Sequence, residues 1–144
     1  MPLAVVDLRQ RDNHSCGGVA LDVHFRFHGL RLPRMYRALP DPVRGLGPDT
    51  AELIVRKHYA HVIAGRLDLA TLRHFSRFTP VLCVITVAPE SDHWVNCIGV
   101  SRTRVHFHCP SDGLQSVPHA DWLAMWRDAG PGAYLRYGLT GWPG

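Results

Sequence analysis

The chain has 144 residues, 46% of them apolar and 19% charged, and its 16 basic and 12 acidic side chains give a net charge of +4. That length suffices for one domain with a real core, spanning residues 1–144, and the composition excludes a disordered chain. The arginines are scattered (Arg9, Arg11, Arg26, Arg31, Arg34, Arg37, Arg44) and form no basic stripe interleaved with aromatics, so no nucleic-acid partner is expected. The opening MPLAVVDLRQ lacks the basic leader and apolar core of a signal peptide. No stretch approaches the ~18–20 apolar residues of a membrane span, so a soluble, cytoplasmic protein is the expectation.

Residues 3–8 (LAVVDL) read as a short strand or an extended arm leading to Gln10. Cys16 opens a helix in which Val19, Ala20, Val23, Phe25 and Phe27 recur at mostly helical spacing, and Gly29 supplies the stop. Residues 30–48, with Pro33, Pro40, Pro42 and Pro48, read as loop apart from a helical turn at 35–38. Asp49 or Thr50 then caps a helix with Ala51, Leu53, Ile54 and Val55 inward. Residues 61–66 read as a short strand, and Asp68 as the N-cap of a helix running through Leu72 and Phe75 to a stop before Pro80.

The second half is β-rich. PVLCVITV, HWVNCIGV and RVHFHC are three strand-like runs, LQSV a fourth, and the tail AYLRYGLTGW a last one. A helix at 119–129 carries Trp122, Leu123 and Trp126 along one side. Helices first and antiparallel strands later make an α+β arrangement without internal repeats.

Four cysteines (Cys16, Cys83, Cys97, Cys109) are too far apart for a zinc ribbon or a disulfide framework, and Cys83 and Cys97 lie in apolar runs that read as core. Cys16 stands at a helix start, where the macrodipole and first-turn N–H groups favour thiolate, and the Gly17–Gly18 pair lets neighbouring backbone approach the sulfur. The same position reads as a small buried hydrophobe unless a histidine meets it. Gln10, six residues upstream, can present its side-chain amide to an oxyanion. Of the ten histidines, His24, His28, His58 and His74 lie on helical stretches and read as surface or boundary residues. His106 and His108 alternate on a strand face that reads as solvent-facing. His93 differs: it begins an apolar strand directly after a polar loop, where a side chain can enter a cleft on a rigid backbone.

Taken together, Gln10, Cys16–Gly17, Gly29, the segment LDLATLRHFSRFTPVLCVITV, His93–Trp94 and the closing DWLAMW resemble the papain-like cysteine peptidases that process double-glycine leader peptides of bacteriocins. The resemblance covers nearly the whole chain. It implies a papain-like α+β fold with the Cys helix packed on a C-terminal antiparallel sheet, a peptide or protein substrate, and no cofactor. It also implies Cys16 as nucleophile, His93 as base and Gln10 in the oxyanion hole, with Gly17 and Trp94 bordering the substrate.

One departure matters. The family has Asp–Pro where this chain has Cys109–Pro110, sixteen positions after His93. That Asp would accept the second imidazole N–H, and a thiol is a poor acceptor. Asp112 in the same turn is the candidate substitute, while Asp92 should point away from His93 by strand alternation. Three readings are open: a peptidase with a weaker orienting group, a peptide-binding module without turnover, or Cys16, His93 and Cys109 as metal ligands, for which no spacing speaks. A Cys16–Cys109 disulfide would need Cα atoms within about 7 Å.

Overall fold

Six antiparallel strands, in the order β1-β6-β2-β3-β4-β5, form the sheet on which the helices pack. The computed structural model describes residues 2–11, 15–37, 46–87, 91–127 and 135–144. Along the chain run α1 (Cys16–Phe27), α2 (Arg34–Arg37), α3 (Pro48–His58), β1 (His61–Arg66), α4 (Leu69–Phe75), β2 (Val81–Val87), β3 (Ser91–Val100), β4 (Arg104–Cys109), β5 (Gly113–Pro118), α5 (His119–Met125) and β6 (Tyr137–Trp142). Among the described residues no helix is long and apolar enough to cross a membrane.

Strand alternation sorts the core into two layers. Leu82, Val84, Trp94 and Leu139 meet Ala20, Leu21 and Phe25 of α1 and Ala51, Ile54 and Val55 of α3. Val81, Cys83, Ile85, Val95, Cys97, Val105 and Phe107 face Leu72 of α4 and the fully buried Trp122 and Trp126. Because β2 is covered on both sides, its sequence is a continuous apolar run rather than an alternating one. Cys83 and Cys97 are core, as expected, and all four cysteines are free thiols.

The N-terminal segment is the extended arm, not a strand. It touches the sheet through isolated bonds, Leu3 N–H to the Ile98 carbonyl at 2.8 Å and Gln10 N–H to the Pro110 carbonyl at 2.9 Å. Gly29, at φ +73°, ends α1 as expected: Leu30 N–H reaches the Phe25 carbonyl and Gly29 N–H that of Arg26, a Schellman closure. Asp68 caps α4, its carboxylate accepting from Thr71 N–H at 2.7 Å.

Several elements depart from the sequence reading. α3 is capped by Gly47 with Pro48 at its first position, so Asp49 lies in the first turn, where its charge complements the helix dipole. Leu53 is 69% exposed, because a face built on Ala51, Ile54 and Val55 leaves residue 53 on the opposite side. The turn expected at 35–38 is α2, one residue earlier, and residue 38 lies outside the described residues. α5 ends at Met125 rather than at 129: the Trp126 backbone leaves the helical region and its indole donates to the Tyr137 carbonyl at 2.9 Å. Residues 128 and 129 of the expected helix lie outside the described residues.

Two histidine readings change as well. His24 is fully buried between α1 and β6, with Nε2 3.1 Å from the Gly141 carbonyl, and burial pushes its pKa down to about 3. His108 is also fully buried, because the N-terminal arm lies across the strand face that was expected to meet solvent.

Candidate active site

Cys16 is the first residue of α1 and 9% exposed. The Gly17–Gly18 pair was expected to admit backbone; at Gly17 it is side chains that come close. A Cβ there would lie 2.5 Å from Leu46 Cβ and 3.1 Å from Trp94 Cδ1. Trp94 is held beneath by its indole N–H, which donates to the Leu46 carbonyl at 2.7 Å. The ring thus belongs to the core, and it is the main chain of Trp94 that faces the sulfur.

That main chain brings two of the selected positions together. The backbone N–H groups of Trp94 and Gly17 hydrogen-bond the Cys16 sulfur and favour its thiolate. The Trp94 amide nitrogen is bonded to the carbonyl carbon of His93, so the start of β3 delivers residue 93 to within one peptide unit of the thiol. His93 is half-buried and pairs with Ile85 of β2 in a ladder that is regular from Ser91 to Cys97. Asp92 accordingly falls on the opposite side from His93, with Thr86 Oγ1 donating to its Oδ1 at 2.9 Å.

The electrostatic balance at Cys16 is not the one expected from its helix terminus alone. Burial is the largest influence and raises the thiol pKa; the backbone N–H groups of Trp94, Gly17 and Cys16 itself lower it, and Cys109 raises it again. Sequence shows that a cysteine opens a helix, but not how deeply the sulfur is sunk.

Gln10 is half-buried and anchored through its backbone to Pro110, the residue after Cys109. Cys109 is buried at the end of β4 with Sγ 3.1 Å from Ser111 Oγ, close enough to Cys16 for the two thiols to interact. The start of β3, the end of β4, the first turn of α1 and the end of the arm therefore converge. Asp112 is exposed in the β4–β5 turn, and its charge acts on Arg9. Among the described residues no three His, Cys, Asp or Glu side chains converge as metal ligands.

Three participants escaped the sequence reading: Asp7, Arg9 and His108. Asp7 Oδ1 lies 2.8 Å from His108 Nε2, while Arg9 Nε and Nη2 donate to the two Asp7 oxygens at 2.7 and 3.1 Å. These bonds hold the Asp7 carboxyl down to about 2, the Arg9 bond counting most. Nothing periodic marks the arm, so no pattern in the sequence pairs Asp7 with a strand a hundred residues later.

A helix whose first residue is a cysteine thus lies on an antiparallel sheet with a strand amide against its sulfur. Solved structures of double-glycine peptidase domains are similar to this chain in fold. A double glycine motif protease from an AMS/PCAT transporter, crystallised with the leader peptide, matches with a TM-score of 0.77 at 13% identity over 99% of this chain and 94% of its own. The peptidase domain of Streptococcus ComA, a bi-functional ABC transporter of a quorum-sensing pathway, matches with a TM-score of 0.75 at 15% identity, over 95% of this chain and 97% of that one. The corresponding Streptococcus mutans domain gives 0.64 at 13%, over 94% and 98%. No family model and no curated protein matches the sequence. The chain has the α+β fold of these peptidase domains, and at such identities the likeness is one of fold.

Proposed function

We propose that the chain, as one papain-like domain over residues 1–144, is a cytoplasmic cysteine peptidase-like hydrolase that cleaves a peptide bond through an acyl-enzyme on Cys16. The observation that supports this reading is the Trp94 amide on the Cys16 sulfur, which brings the backbone of residue 93 to within one peptide unit of the thiol, on a fold shared with a protease solved with the leader peptide. His93 takes the thiol proton, and the sulfur attacks the peptide carbonyl. The resulting oxyanion accepts hydrogen bonds from the Gln10 carboxamide and the Cys16 N–H. His93 then protonates the leaving amine as the C–N bond breaks. Water, giving a proton to His93, attacks the thioester; the acid leaves and the thiol regains its proton. Gly17 and the Trp94 main chain border the bound peptide. The scheme requires no cofactor.

Cys109 in place of the family's Asp supports a second reading, a peptide-binding module with little or no turnover. The remaining carboxylate of that turn, Asp112, is the candidate to orient His93. Peptide hydrolysis by the wild type, Cys16→Ala and Cys109→Asp separates the readings. A peptidase limited by its orienting group gains about tenfold or more in kcat on Cys109→Asp and loses all turnover on Cys16→Ala. Saturable peptide binding that survives Cys16→Ala, with no hydrolysis by any of the three proteins, establishes the binding module instead.

A further inference from the structure

We propose that Asp7 and His108 are positioning residues: their contact clasps the N-terminal arm onto the sheet and thereby holds the Gln10 carboxamide at the oxyanion position. The inference rests on the peptidase reading above and assigns a task to residues outside the expected site.

The arm needs such a device. Residues 2–10 have no secondary structure, and the two backbone bonds that tie them down, at Leu3 and Gln10, are isolated. An oxyanion donor is effective only when held to within about 0.5 Å of the developing charge, and a carboxamide on an untethered arm would not be. Asp7 lies three residues before Gln10, a span of at most roughly 10 Å of extended chain, so fixing Asp7 confines the position of Gln10.

The clasp is built from both sides. His108 is fully buried, on a strand paired with Asn96 of β3 and Leu114 of β5, and its Nε2 meets the carboxylate of a residue that is itself exposed. A buried imidazole thus reaches its partner only while the arm is down. On the outer side, Arg9 grips both Asp7 oxygens in a fork and lies over Gly113, where a Cβ would collide with the guanidinium. Gly113 adopts φ +80°, so glycine there answers both the tight β4–β5 turn and the passage of Arg9. That turn carries Pro110, which accepts the Gln10 N–H. The carboxylate, the imidazole, the guanidinium and the turn therefore close one ring of contacts around the residues leading to Gln10.

The test uses p-nitrophenyl acetate as a generic acyl donor and iodoacetamide as a probe of the same thiol that forms no oxyanion. Asp7→Ala is the principal variant, since an exposed side chain can be removed without opening the core. The proposal predicts that Asp7→Ala slows acylation of Cys16 by about tenfold or more while alkylation stays within about twofold of wild type. It also predicts that Asp7→Ala costs nothing further in a Gln10→Ala background, the non-additivity expected of a residue acting through another. Equal loss in both reactions, or a fully additive loss, overturns it and leaves the peptidase reading standing. A wild-type Cys16 that is alkylated but never acylated removes the peptidase reading, and with it the catalytic purpose of the clasp. The clasp itself then stands or falls on hydrogen exchange of the Gln10 amide, which must speed up about tenfold in Asp7→Ala; unchanged exchange overturns it.

Discussion

At the scale of single residues, Cys16 is separated from the other thiols by what surrounds it. Its pKa is raised by burial but opposed by three main-chain N–H groups, whereas burial pushes Cys97 up to about 12 and Cys83 well above its ordinary value. Iodoacetamide at neutral pH should therefore label Cys16 well before Cys83 and Cys97, read by peptide mass mapping. Labelling of either core thiol first would contradict the described environment. Gly17 offers a second test. A methyl group there meets Leu46 and Trp94, so Gly17→Ala should cost about 1–3 kcal/mol in denaturant unfolding and disturb the Trp94 amide that faces the sulfur. The candidate residues Gln10, Cys16 and His93 could be selected from sequence because spacing and residue type survive in a linear reading. The depth of Cys16 and the burial of His24 could not, since both depend on what another element lays over them.

At the scale of elements, the strands and the α4 cap were the legible part. The runs PVLCVITV, HWVNCIGV and RVHFHC became β2, β3 and β4, and Asp68 became the cap of α4 because its carboxylate reaches the Thr71 N–H. Asp68→Ala should lower stability by about 1 kcal/mol, seen as a lower denaturant midpoint at unchanged slope; an unaltered midpoint would mean the cap contributes nothing. Element ends were less legible where a side chain decides them. Trp126 leaves the helix to place its indole against β6, and Pro48 starts α3 one residue ahead of Asp49. His108 shows the limit of alternation: period two divides a strand into two faces but does not say which face another segment covers. Here the arm covers the one that carries the histidines.

At the scale of the whole molecule, pH acts through groups whose protonation differs between folded and unfolded chain. His24 is neutral in the fold down to a pKa of about 3 but takes up a proton near 6.5 when unfolded. The unfolded state therefore binds more protons between those values, and stability falls as the pH drops from 6.5 toward 3, by up to about 5 kcal/mol. Asp7, whose carboxyl is held down to about 2 from 3.8, adds a stabilisation present above pH 3.8 and lost as the pH falls through 2. Thermal unfolding across pH 3–7 should show a midpoint that climbs with pH, and His24→Gln should flatten the climb above pH 4. A wild-type midpoint independent of pH in this range would contradict the buried neutral imidazole.

In the proposed peptidase the thiol of Cys16 and the imidazole of His93 work as a pair. The most direct measurement of that pairing is the pH dependence of the rate at which iodoacetamide inactivates Cys16, compared between wild type and His93→Ala. A thiolate supported by an imidazolium should react faster at neutral pH than the same buried sulfur alone. His93→Ala should slow alkylation at pH 7 by about tenfold and move the profile to higher pH. Superimposable profiles for the two proteins would contradict it.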